Sequence, residues 1–176
     1  HTHTHTLMRA QICFLLLWLK VLLKDKSDAV IVFGDVNSTL ACTIAAKKMM
    51  IDVIHIESGL RSYDKDMPEE INRMMVDSVA DYCFTTCEDA SLNLIKEGRS
   101  KESIFMMGNT MIDSLVKFES KFNESNLLDK YGLSVQEYIL ITMHRPSNVD
   151  NEEKLLKIIE QIIIISKEHR CFFPIH

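Results

Sequence analysis

Four short apolar runs, at residues 29–33, 53–56, 81–86 and 103–107, recur along the chain, and each is followed by a segment of helical character. Strands that alternate with helices at this spacing specify βαβ units, whose right-handed crossovers build a parallel sheet. The first run, AVIVF, lies between Asp28 and Gly34 and is rich in β-branched residues, which predicts a strand covered on both faces. Asn37, Ser38 and Thr39 suit a helix start, and residues 40–50 continue with Ala41, Ala45 and Ala46, small enough for close packing. A loop over 59–67 leads to a helix opening on Asp66, Pro68, Glu69 and Glu70. Proline is tolerated in a first turn, and acids there suit the helix dipole. Further helices are expected over 88–97, closed by Gly98, and over 110–118.

Residues 119–132, ESKFNESNLLDKYG, then turn charged and polar, which predicts a connection between two domains, 1–119 and 120–176. Beyond it the pattern restarts, with a strand over 138–142, a loop at HRPSN, and a helix over 152–167 capped by Asp150 or Asn151. A final strand is expected over 171–175. The fold class is α/β, with parallel sheets.

Composition narrows the function. Hydrophobic residues make up 47% and charged residues 26% of the 176, as in globular domains rather than disordered chains. With 20 basic against 25 acidic side chains, the net charge of −5 gives no electrostatic case for nucleic acid. The five cysteines, Cys13, Cys42, Cys83, Cys87 and Cys171, are odd in number and scattered. They are read as reduced, small buried hydrophobes of a cytoplasmic protein. Cys83 and Cys87 flank a strand end but lack nearby partners for zinc, so no metal is expected. The lead HTHTHT is a low-complexity tract, set apart from the fold. After it, residues 7–24 are apolar, but Arg9 and Lys20 interrupt them and the run 12–19 is too short to span a membrane. A helix buried against a sheet is expected instead.

In open α/β sheets ligands bind outside the carboxyl ends of the strands. Asp35 follows the first strand, Glu57 ends the second, and His144 ends the first strand of the later domain. Three ionisable groups so placed point to chemistry. Each also has a structural alternative. Asp35 suits a cap for the next helix, Glu57 an ion pair with Arg61 or Arg73, and His144 a hydrogen-bonded loop. Glu69 and Glu70 suit the dipole of their helix, Asp77 and Asp81 solvent or ion pairs. The pairs Met49-Met50, Met74-Met75 and Met106-Met107 are read as core filler.

VFGDVNSTLA, HIESGLRS, MPEEINR, GNTMIDSL and HRPSN, in this order and spacing, resemble the non-hydrolysing UDP-N-acetylglucosamine 2-epimerases of bacteria and archaea. The resemblance runs from about Ala29 to His176. It implies two Rossmann-like domains of GT-B type with the active site between them, and inversion of C2 of UDP-GlcNAc to give UDP-ManNAc without cofactor or metal. It implies elimination of UDP to 2-acetamidoglucal and re-addition, which supplies ManNAc for surface polysaccharide. The family's motif positions fall on Asp35, Glu57 and Glu69 as catalytic carboxylates and on His144 as the group contacting the leaving UDP. Arg73, Arg145 and His176 follow as substrate-binding residues, with UDP-GlcNAc or UDP as partner, and a cytoplasmic homodimer is implied for the full-length parent.

The sequence departs from the family pattern in places. Ser58 stands where alanine is usual, and Pro146 where many members carry a second arginine. A Gly-Thr-Arg-Pro-Glu turn and a later Ser-Gly-Gly and Glu-Glu segment are missing, so the chain is expected to be the middle of such an enzyme, truncated at both ends and inactive alone. The alternatives are a non-catalytic fragment or pseudo-enzyme, and an epimerase of a diacetamido or otherwise modified UDP sugar.

Overall fold

The computed structural model describes residues 2–143 and 146–175, with side chains described for 11–143 and 148–175. The chain divides into two compact units, His1–Val116 and Lys117–His176. In the first, β1 (Ala29–Phe33), β2 (Asp52–Ser58), β3 (Tyr82–Thr85) and β4 (Ile104–Met106) form a parallel sheet in that order. The connections carry α2 (Asn37–Lys48), α3 (Pro68–Val79) and α4 (Glu88–Lys96), preceded by α1 (Thr2–Lys24) and followed by α5 (Thr110–Lys117). Right-handed crossovers between successive neighbours bring α2, α3 and α4 to the same face of the sheet. The core lies there, with Val32, Leu40, Val53, Val76, Cys83 and Leu94 buried together.

The opposite face corrects one expectation. Ile31 and Phe33 are 58% and 56% exposed, so among the described residues β1 is covered on one face only. The run is apolar on both faces, as its sequence says, but every crossover helix lies on the same side of the sheet. The apolar stretch near the amino terminus is corrected likewise. Leu15, Trp18, Leu19 and Leu22 of α1 pack into the core, chiefly against α2 rather than the sheet, while Leu16, Leu17 and Leu23 stay exposed. Among the described residues no helix is long and apolar enough to cross a membrane.

The methionine pairs are not core filler. Met49 packs against the core, but Met50, Met74, Met75, Met106 and Met107 are exposed. In α3 the buried positions are Glu70, Asn72, Val76 and Asp77, which leaves Met74 and Met75 on the outward side of the helix. Of the cysteines, Cys42 and Cys83 are buried, whereas Cys13 and Cys87 are exposed and Cys171 partly so; all five are free.

In the second unit β5 (Ile139–Leu140) and β6 (Cys171–Phe172) pair in parallel. The polar stretch before them is not a plain connection. It forms α6 (Glu119–Asn123) and α7 (Leu127–Tyr131), the latter closed by Gly132 at φ 59°. Part of the loop expected at HRPSN is a single helical turn, α8 (Pro146–Val149), with proline in its first position. In α9 (Glu152–Ile165) the cap is Asn151, whose side chain accepts from the Lys154 N–H at 2.9 Å.

Candidate active site

The carboxyl ends of β1 and β2 lie side by side, with Phe33 opposite Ile56. A residue of positive φ stands at or just beyond the carboxyl end of each strand. Gly34, at φ 59°, donates its N–H to the Ile56 carbonyl at 3.0 Å. Glu57, at φ 70°, adopts a conformation uncommon for a residue with a Cβ, where the register with β3 shifts between Ile56 and Ser58. The shift breaks the alternation of the strand. His55 and Ser58 are both buried on the helix side, and Glu57 between them is partly exposed. A Cβ placed on Gly34 would meet Glu57 Oε2 at 3.5 Å, so the Glu57 carboxylate lies over the turn that leads into Asp35.

Asp35 does not cap α2, whose N-cap is Val36 without a side-chain bond. It accepts instead from Arg73 of α3, and Arg73 also donates to Glu70 Oε2 at 2.5 Å, so one guanidinium bridges two carboxylates. Asn72 donates to the Asp35 carbonyl at 2.8 Å and to Asn37 Oδ1 at 3.0 Å, which fixes the backbone of the same turn. Glu57 pairs with neither arginine, since Arg61 is taken by Asp77 at 2.7 Å and Glu97 at 2.6 Å. Burial alone would lower the Arg61 pKa, but its hydrogen bonds to Glu97 and Asp77 outweigh burial and raise it.

Glu69 and Glu70 divide in a way the sequence reading did not anticipate. Glu69 is exposed in the first turn of α3 and makes no ion pair among the described residues. Glu70, expected as a dipole partner, is buried, and it accepts from the Ser62 and Tyr63 N–H groups at 3.0 Å each as well as from Arg73. It clasps the loop between β2 and α3. Burial opposes its charge, yet the two N–H groups, the Ser62 hydroxyl and Arg73 together hold its carboxyl below the usual range.

One further residue, His55, escaped the sequence reading, and a second, Asp77, does more than was expected of it. His55 is fully buried, with Nδ1 2.6 Å from Asp77 Oδ1 and Nε2 2.9 Å from the Gly34 carbonyl. Asp77, read as a solvent or ion-pair residue, does form an ion pair, with Arg61 at 2.7 Å, but it is buried rather than solvated and also accepts from the Gly59 N–H at 2.9 Å. The available signal was periodic. Glu70, Arg73 and Asp77 recur at three and four residues, which places polar groups on the inward face of α3.

Asp35, Glu57 and Arg73 are thus brought to one place, with Glu69 in the first turn of the helix that supplies Arg73. His144, Arg145 and His176 lie outside the described residues. No group of three or more histidine, cysteine or acidic side chains suited to a metal ion occurs among the described residues.

A family model described as UDP-N-acetylglucosamine 2-epimerase matches residues 2–176. The chain belongs to this family. It is 43% identical over 162 residues to the UDP-N-acetylglucosamine 2-epimerase of Methanocaldococcus jannaschii, covering 89% of this chain and 44% of the relative. The crystal structure of Methanocaldococcus jannaschii UDP-GlcNAc 2-epimerase in complex with UDP-GlcNAc and UDP superposes with a TM-score of 0.85 at 40% identity, over 94% of this chain and 47% of the other. A Pseudomonas aeruginosa family relative, UDP-2,3-diacetamido-2,3-dideoxy-D-glucuronate 2-epimerase, is 41% identical over 145 residues, 81% of this chain and 40% of its own. The chain therefore spans less than half the length of these family members, and its α/β fold with parallel sheets is theirs.

Proposed function

We propose that the protein carrying this chain is a UDP-N-acetylglucosamine 2-epimerase, which inverts C2 of UDP-GlcNAc to give UDP-ManNAc. The observation that carries the reading is the meeting of Asp35 and Glu57 at the carboxyl ends of adjacent parallel strands, in a chain 43% identical to an enzyme of that name. The C2–H bond and the C1–O bond to UDP break to give 2-acetamidoglucal. UDP then adds back at C1 while C2 takes a proton on the other face. This needs a base on one side of the ring and an acid on the other, roles that carboxylates in a closed cleft can fill. We assign these roles to Asp35, Glu57 and Glu69, and assign His144 to the leaving UDP.

Arg73, Arg145 and His176 we assign to substrate binding. Arg73 also holds Asp35 in place from α3. The UDP-binding residues are proposed to fall in the region after 119, with the carboxylates before it. We further infer a cytoplasmic homodimer serving surface polysaccharide synthesis, a reading supported by the family alone.

The test is incubation of the full-length protein with UDP-GlcNAc in deuterated water. UDP-ManNAc labelled at C2 is expected; unlabelled product, or none from folded protein, refutes the proposal. Because the chain covers 44% of its archaeal relative, the 176 residues alone are expected to show no turnover. A second reading is favoured by the Pseudomonas aeruginosa relative, which is nearly as similar and is named for a diacetamido sugar. Parallel incubation with that UDP sugar separates the two.

A further inference from the structure

We infer that His55 and Asp77 are positioning residues that set the separation of Asp35 and Glu57, an inference that rests on the proposed epimerase reading for its catalytic consequence. His55 stands in β2 with its ring fully buried towards α3. The Gly34 carbonyl, 2.9 Å from Nε2, can only accept, so Nε2 carries a hydrogen and donates it. Gly34 is the residue before Asp35, and its N–H is already given to the Ile56 carbonyl. Both backbone polar groups of that glycine are therefore held by β2.

The other ring nitrogen faces Asp77 Oδ1 at 2.6 Å, and one proton lies between them. Asp77 Oδ2 accepts from the Gly59 N–H at 2.9 Å and from Arg61 Nη1 at 2.7 Å. One carboxylate on α3 thus pins the end of β2 two residues after Glu57, and through His55 it pins the end of β1 one residue before Asp35. Between the two pins Glu57 keeps its positive φ of 70°, a conformation that persists only where its surroundings over-determine it.

A buried polar network is weak evidence for stability, since apolar residues fill such space at no desolvation cost. It is strong evidence for orientation when every member is satisfied, as here. The network joins the two strand ends that bear the carboxylates, together with the first residues of the loop that follows.

The experiment has two arms. In the full-length protein, H55A and D77A are expected to lower kcat by about a hundredfold with KM within a few-fold, as for a reacting group displaced by about an ångström. D77N is expected to rescue most of that loss. Its amide can donate to Nδ1 while its oxygen keeps Gly59 and Arg61. In the second arm, nitrogen-15 NMR of the same full-length protein reads the tie directly. A solvent-protected His55 Nε2–H is expected in wild type and D77N. A wild-type kcat in folded H55A, a change confined to KM, or failure of D77N to rescue overturns the inference. If the wild-type protein does not epimerise, the functional proposal fails, and the NMR arm alone decides the tie: a protected Nε2–H upholds it, and an exchanging or absent one overturns it.

Discussion

Replacing Glu70 with glutamine separates two accounts of the acidic start of α3. As a dipole partner Glu70 would contribute about 0.3–1 kcal/mol. As a buried clasp it contributes more, because its carboxylate accepts from the Ser62 and Tyr63 N–H groups at 3.0 Å and from Arg73 at 2.5 Å. Glutamine keeps one acceptor oxygen. If that oxygen serves Ser62 and Arg73, the amide NH2 faces the Tyr63 N–H, and an unsatisfied donor costs about 1–3 kcal/mol. Of the two bonds that remain, the one from Ser62 loses its charge assistance and the one from Arg73 keeps a charged donor but loses its ion pair, about 1 kcal/mol each. Water reaches part of the exposed loop and returns some of this, leaving about 3 kcal/mol at neutral pH. Amide hydrogen exchange at Ser62 and Tyr63 is expected to quicken about a hundredfold, with a matching loss in urea unfolding. The pH dependence follows from the lowered Glu70 carboxyl. A carboxyl lowered on folding stabilises the native state above its unfolded pKa, and the contribution is lost as pH falls through the folded value. The difference between wild type and E70Q is therefore full at neutral pH and shrinks in acid. A change below about 1 kcal/mol at neutral pH would refute the clasp and restore the dipole account.

Three further outcomes are expected. The Ser58 hydroxyl is buried with no nitrogen or oxygen partner among the described residues and only the Cys83 thiol, a weak partner, beside it, so S58A is expected to stabilise by about 1 kcal/mol in urea unfolding; a loss of stability would show that the thiol satisfies the hydroxyl. A Cβ on Gly59 would stand 2.3 Å from the Ala90 carbonyl oxygen at φ 79°, and G59A is expected to cost more than about 3 kcal/mol; under about 1 kcal/mol would mean that α4 yields. Burial pushes the Cys42 and Cys83 thiols up to about 11, whereas Cys13 and Cys87 are exposed. Iodoacetamide at about pH 8 is expected to label Cys13 and Cys87 in the native chain and spare Cys42 and Cys83 until urea is added, as read by mass spectrometry.

Much of the fold was legible because strand and helix periods are local. Residues 29–33 form β1 as expected, and the start of α3 at Pro68 follows from proline and acids in a first turn. Placement against neighbours was less legible. The apolar stretch before Lys24 packs on a helix rather than a sheet, and apolar pattern alone does not name the partner. In the site, the strand-end positions of Asp35 and Glu57 and an ion pair for Asp77 were readable, but the roles of Glu70 and His55, and the tie from Asp77 to His55, were not. A buried carboxylate and an exposed one look alike in a first turn until the loop that folds over one of them is in place.

The order of strands and helices, the acids at the ends of β1 and β2, and membership of the epimerase family were determined by the sequence itself. Each depends on residues close together in the chain, or on motifs that recur in order. Which carboxylate is held, and by what, was decided only by the tertiary structure. Arg73 reaches Asp35 across 38 residues and Asp77 reaches His55 across 22, and such pairings depend on distances that exist only after the crossovers have closed. The register shift at Glu57 is of the same kind, because it comes from pairing with β3 and turns that side chain out of the alternation the strand would otherwise impose.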